Sequence, residues 1–310
     1  MKRLRMLARI GALAAVVAAI PACEDGWGRH HTFNIAWFVD PVFGDDFRND
    51  GSPDFPLKTI GRALQFSIPG DEVVLATGTY SPSSGEVFPI LVKPGVLILG
   101  DPASAGATTA VLGAGPYTIQ GGTQMGGVVA ATLVLGSGAQ VSGVKVTAPG
   151  ATGVGIVCDG NSALVTSSTI TACGAAGIRV YQGASPTITR TTITSNTGTG
   201  AAAFDTSAPV FRSCTITSNT TDGVLAQDTS AQNLGDGTTA GANTLTGNTG
   251  VGLNNTTTAS TIQAVGNTWI ASVQGADAAG LYAAALTPGV VPAVAANNFA
   301  ITNALAAIQF

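Results

Sequence analysis

Two aspartates, Asp205 and Asp228, stand in the same Asp-Thr-Ser-Ala context, and the interval between them is repeated from Asp205 back to Gln182. In a chain that coils with that period, about 23 residues, the three side chains share one column, with Asp159 one position off it. Carboxylates on neighbouring coils sit roughly 5 Å apart and repel one another unless a cation or a proton intervenes. The chemistry on offer is calcium binding or general acid/base work. Asp205 and Asp228 are therefore the candidate metal ligands and, with Arg179, the candidate catalytic groups; calcium is the one cofactor the pattern admits. A plainer role competes, because aspartate at a strand end caps turn N–H groups through its side chain, and exposed carboxylates are well solvated.

A second constellation lies on the neighbouring strand. Tyr181 precedes Phe204 by one such period, and Arg179 stands two residues before Tyr181, so all three are expected to face outward. Sugars stack on such rings, and a guanidinium pairs with a uronate carboxylate in bidentate fashion. Tyr181, Phe204, Arg179 and Gln182 are the candidate substrate-binding residues. An aromatic cross-strand pair also stabilises a sheet whether or not anything binds. A third array is a double threonine ladder, Thr169/Thr171, Thr192/Thr194, Thr215/Thr217 and Thr244/Thr246. Regular outward hydroxyls and methyls of this kind resemble an ice-binding face, although threonine is also an ordinary exposed strand residue. The acidic loop with Asp40, Asp45, Asp46, Asp50 and Asp54 lacks the spacing of a helix-loop-helix calcium site, and turn formation explains its composition.

What positions these residues is a repeat. Gly177, Gly200 and Gly223 recur at the same interval, as do Ile170, Ile193 and Ile216, and three copies close on Asn196, Asn219 and Asn248, the last after six extra residues. Thr, Ile, Val, Ser and Gly dominate, and apolar residues alternate as in Ile178 and Val180 against Arg179 and Tyr181, which argues for strands. Three short strands per coil, broken by Gly, Ser, Pro and Asn, predict a parallel β-helix. The column rule places Val141 over Val165, Val146 over Ile170 and Cys158 under Val180. It brings no two of Cys158, Cys173 and Cys214 together on adjacent coils, so three unpaired thiols are expected. Upstream, Leu57, Ile60, Leu64 and Ile68 share one helical face, suited to covering the open first coil.

The segments VDP (39–41), PLKTIGRAL (56–64), PGDEVVLATGTY (69–80), FPI (88–90) and GVLILG (95–100), followed by NLGDG (233–237), QAVGNTW (263–269) and GADAAGLY (275–282), resemble pectin-lyase-like right-handed parallel β-helix proteins. The resemblance is strongest to a group of bacterial lipoproteins of unknown function. It implies a fold rather than a chemistry, since these segments turn and cap the chain. The histidine motifs of pectate lyases and polygalacturonases are missing, and from residue 140 onward there is neither Glu nor His. A metal-assisted lyase would have to use Arg179 or Arg212 beside Asp205 and Asp228, and arginine is an awkward base at neutral pH.

Residues 1–22 carry a basic start, a short apolar run and small residues before Cys23, the pattern of an export signal. IPAC (20–23) resembles a lipobox, which would make Cys23 the lipidated first residue of the mature protein. Without the leader the chain has 9 basic against 17 acidic residues, a balance of −8, which argues against nucleic acid and anionic membrane surfaces as partners. The expected organisation is a leader (1–22), a tether (23–32) that includes His30 and His31, and one β-helix domain (33–310). That domain has an N-terminal cap and first coils to 100, coils to 269 and a C-terminal cover to 310. The expected protein is an exported monomer of the bacterial envelope, an outer-membrane or cell-surface lipoprotein and otherwise a secreted protein, non-catalytic, binding a polysaccharide or another envelope component or serving a structural role. A calcium-dependent polysaccharide lyase or hydrolase is the alternative, and an ice-binding face the second.

Overall fold

The computed structural model describes residues 34–257, 261–270, 299–301 and 307–309. Cys23, the leader, the tether and most of the expected C-terminal cover lie outside these residues. The described chain is a right-handed parallel β-helix built from three main sheets of seven, eight and nine strands, all parallel except one antiparallel strand added to the third, with a further two-stranded parallel pair, Thr261–Gln263 with Ala307–Gln309. The first sheet climbs from Ala36–Val39 to Val210–Arg212, the second from Gly78–Tyr80 to Thr268–Ile270, and the third from Ile90–Val92 to Phe299–Ile301.

The predicted columns are the observed registers. Val141, Val165, Ile188 and Phe211 stack in the first sheet. Val146, Ile170, Ile193, Ile216 and Leu245 stack in the second, and Ile178, Ala201, Val224 and Leu253 in the third. All of them are buried. One inward residue per short strand is enough, because the next coil supplies the neighbour above and below, and the same contact repeats along the stack. Burial of each such Ile or Val is worth about 1.5–3 kcal/mol against exposure.

Asparagine completes the interior. The sequence pattern puts Asn196, Asn219 and Asn248 at turns, and the structure turns their side chains inward, where each is fully buried. Asn219 Oδ1 accepts from the backbone N–H and the amide Nδ2 of Asn196, at 3.2 and 2.9 Å, and Asn248 Oδ1 does the same for Asn219, at 3.1 and 2.8 Å. Each Nδ2 also donates toward an isoleucine carbonyl, Ile170, Ile193 or Ile216. Gly200 is glycine for this reason: a Cβ there would stand 2.8 Å from Asn219 Nδ2 and 2.5 Å from the Gly223 carbonyl oxygen.

The helix Ile60–Phe66 covers the first coil with Ile60, Ala63 and Leu64, while Leu57, expected on the same helical face, is buried ahead of the helix in a bridge to Val39. Thr59 caps it by accepting from Arg62 N at 3.0 Å. Ile68, expected on the same buried face, lies beyond the helix end and is largely exposed. Glu86 is buried against the first turn and accepts from the N–H groups of Ile60 and Gly61. Burial pushes its carboxyl up to about 7, against the pull of those two donors. Further along, the six extra residues of the copy that ends at Asn248 form a corner loop, and the next strand returns in register, with Thr215 beside Thr244. Arg212 holds that loop through Asp236 at 3.3 Å and Asn233 at 2.8 Å.

Candidate binding site on the outer face of the third sheet

One segment leaves the coil path. Gly115–Thr118 folds back antiparallel on Val128–Leu135, and the turn between them, 119–127, projects over the outer face of the third sheet as a flap. Ile119, Val129, Val134, Val154, Val157, Tyr181, Ala202 and Phe204 form a second, outer apolar cluster beneath it, separate from the helix interior, with Tyr117 packed against them.

The candidate aromatics stack as their spacing predicts, with ring centroids 4.9 Å apart and planes 15° apart. They do not form an open platform. Tyr181 is 1% exposed and Phe204 9% exposed, because the outer cluster closes over rings that point away from the helix interior. The expectation of an exposed sugar-stacking pair is therefore corrected by a segment whose periodicity does not match the repeat. Burial raises the Tyr181 phenol, and the neighbouring Arg179 charge and hydrogen bond pull it partly back.

The acidic column is equally committed. Asp205 Oδ2 accepts from Gln182 N at 3.0 Å and Asp228 Oδ2 from Asp205 N at 3.0 Å, so each carboxylate caps the turn of the coil before it rather than its own. Gln182, Asp205 and Asp228 share one left-handed turn conformation, each with φ of 57°. The flap docks on the same column: Thr123 N donates to Asp205 Oδ1 and Thr123 Oγ1 to Asp228 Oδ2 at 2.9 Å. Gly122 approaches so closely that a Cβ there would collide with Asp205 Oδ2. Asp159, one position off the column as expected, accepts from Tyr117 Oη and Gln120 N, both at 2.8 Å, and from Gln182 Nε2. Partial burial works to raise the Asp205 carboxyl, but the donors from Thr123 and Gln182 outweigh it and hold it below the usual carboxylate range. Among the described residues no three His, Cys, Asp or Glu side chains converge to hold a metal ion. Asp205 and Asp228 are thus brought together, and what they bind is backbone and flap.

What stays accessible is a groove of about 300 Å³ beside the flap, lined by Gln124, Ala175, Ala176, Arg179, Thr199, Ala202, Phe204, Leu225 and Gln227. Arg179 is the charged group in it, and its Nε is buried without a hydrogen-bond partner. Of the other arginines proposed as bases, Arg212 is engaged by Asn233 and Asp236 on the first sheet. Sequence spacing gives no sign of Gln124, because the flap belongs to no repeat, whereas Leu225 and Gln227 stand on the lattice, beside Ala202 and one period after Phe204, where counting finds them. The flap's own signal is Gly121-Gly122 and Gly126-Gly127 between apolar stretches, which is hairpin chemistry.

The threonine columns stand in register on the second sheet and gain a rung, Thr268 beside Thr244. In the acidic loop, Asp40, Asp45 and Asp50 accept from backbone N–H groups two or three residues ahead, and Asp46 accepts from Lys58 N and Thr59. Cys158, Cys173 and Cys214 are unpaired and buried.

The profile of a family described as a protein of unknown function (DUF1565) matches residues 42–272, and the chain belongs to that family. No curated protein matches its sequence. Among solved structures, pectate lyase Pel9A is similar over 74% of this chain at 15% identity and a TM-score of 0.46; the chain spans 64% of that enzyme's length. A lacto-N-biosidase of glycoside hydrolase family 136 from Eubacterium ramulus is similar over 89% of this chain and 68% of its own, at 11% identity and a TM-score of 0.32.

Proposed function

We propose that this DUF1565 protein is an exported, lipid-anchored β-helix module of the bacterial envelope that holds a polysaccharide or similar envelope component without turning it over. The single observation behind this reading is Arg179. It is the charged side chain lining a groove whose neighbouring carboxylates are all occupied by the protein's own donors, it hydrogen-bonds Tyr181, and its buried Nε–H has no partner. A planar cation of this kind pairs with a carboxylate or sulfate, while Phe204, Leu225 and the amides of Gln124 and Gln227 offer the mixed apolar and polar walls that saccharides use. The same geometry works against catalysis. Asp205 spends both oxygens on N–H donors, and the one basic side chain lining the groove is Arg179, whose guanidinium stays protonated.

A glycan-array screen with and without calcium, followed by product analysis of every glycan bound, tests the reading. Binding of an acidic glycan that is indifferent to calcium, leaves the glycan intact and falls about tenfold or more in Arg179→Ala is the expected result. Calcium-dependent cleavage abolished by Asp228→Ala would install a lyase in its place.

A further inference from the structure

Among the described residues the strongly exposed phenylalanines are confined to one place. They are Phe43, Phe47, Phe55 and Phe66, and all lie between positions 43 and 66, with Val42 beside them. Phe47 is 97% exposed. A soluble surface tolerates single exposed apolar residues, but Phe43, Phe47 and Phe55 on one short loop are a patch that calls for an occupant.

The loop is built to hold them there. Asp40, Asp45 and Asp50 each pin a tight turn by accepting backbone N–H groups. Asp45 N and Asn49 Nδ2 donate to the Pro56 carbonyl, and Gly51 N to the Phe55 carbonyl, which tie the loop's two arms together. The aspartates that composition would suggest as calcium ligands are turn-formers, and what they display is phenylalanine. Ring display on a pre-folded loop avoids the ordering cost that a floppy segment would have on binding.

We infer that the loop 42–55 is a membrane-docking surface, whose phenylalanines insert into the interfacial zone of a lipid bilayer and seat the capped end of the β-helix on it. This inference rests on the reading that the chain is anchored at Cys23. Ten residues separate Cys23 from Asn34, a reach of no more than about 40 Å. A loop so tethered meets the bilayer at high effective concentration, and even weak insertion is then enough. The occupant is a neutral lipid interface rather than an anionic one, because Asp40, Asp45, Asp46, Asp50 and Asp54 outnumber Arg48, Lys58 and Arg62 around the rings.

The test uses the full chain, produced with its leader in a bacterial host and reconstituted into phosphatidylcholine vesicles. An environment-sensitive dye is placed at Phe47→Cys and, as a control, on the flap at Met125→Cys. Cys158, Cys173 and Cys214 do not compete for label, since burial pushes their thiols up to about 12, 11 and 11. The dye at position 47 is expected to shift to the blue and to be quenched by nitroxide-bearing lipids severalfold more than the dye at 125, with the effect lost when Phe43→Ser and Phe55→Ser are added. Equal quenching at the two positions overturns the inference. So does a blue shift at 47 without vesicles accompanied by a doubled mass in sedimentation, which would make a second copy the occupant. Labelled palmitate decides the anchor separately. If Cys23 takes up none, the anchor falls, and the same dye in a Cys23→Ser chain, held by an N-terminal histidine tag to vesicles carrying nickel-chelating lipid, still decides the docking.

Discussion

Two polar columns run along this β-helix, one inside and one outside, and they solve the same problem with different side chains. Asn196, Asn219 and Asn248 cap the turns from within, while Asp205 and Asp228 cap them from without. An amide carries both donors and acceptors, so an asparagine column satisfies itself, the Oδ1 of Asn219 and of Asn248 taking the Nδ2 of the coil before and each Nδ2 reaching a main-chain carbonyl. A carboxylate only accepts. Its column cannot stack on itself, and it must be supplied with donors from elsewhere, here the turn N–H groups and Thr123 of the flap. The neutral column can therefore be buried completely, and the charged one becomes an attachment point.

The contrast is breakable. Asn219→Asp puts an acceptor-only, ionisable group in the interior, facing Asn248 Oδ1 and the Ile193 carbonyl. It should cost about 3–5 kcal/mol, read as a lowered urea midpoint with little change in slope. Phe204→Ala removes the ring that packs the outer cluster against Tyr181, and should cost about 3 kcal/mol while opening the flap to proteolysis.

Glu86 sharpens the comparison from the other side. It is a carboxylate almost as buried as an inner asparagine and has only two backbone donors, so its pKa is raised to about 7. A carboxyl whose folded pKa exceeds its unfolded one takes up a proton on folding. Its contribution is fully present below about pH 4.5 and is lost as pH rises through about 7. Glu86→Gln should flatten that decline, a change on the order of 2 kcal/mol across the window, seen in urea titrations at pH 5 and 8. The smallest effect belongs to Thr123→Ala, which deletes the hydroxyl donor to Asp228 and should cost about 1 kcal/mol. It should appear as faster amide exchange at 119–127 with global stability almost unchanged. Because Asp205 is held below the usual range, flap protection should survive acidification past the point where free aspartate is half protonated, and should fail only lower.

The coils were legible because every inward position is repeated one period later by a residue of the same kind. Ile170, Ile193 and Ile216 state their register without any structure, and Cys158 could be placed under Val180 by counting. The candidate site was legible only in part. Tyr181 over Phe204 and Asp205 beside Asp228 are juxtapositions of the lattice, and the lattice delivers them. Their accessibility depends on Ile119 and Thr123, which lie several coils earlier in the chain and belong to no repeat. Periodicity reports neighbours one coil away and is blind to a hairpin that folds over several. The asparagines were placed correctly along the chain but not in depth. A polar residue at a turn ordinarily faces water, and only the self-satisfying geometry of the amide column makes the inward choice stable.

The corner loop that interrupts the copy ending at Asn248 carries a lesson of a different kind. Six additional residues enter between two strands, and the ladder on the far side resumes with Thr215 beside Thr244 as though nothing had been inserted. Length at a corner is thus decoupled from alignment of the walls. An architecture of this kind can take longer, shorter or different corners one at a time, presenting new surfaces without disturbing its interior.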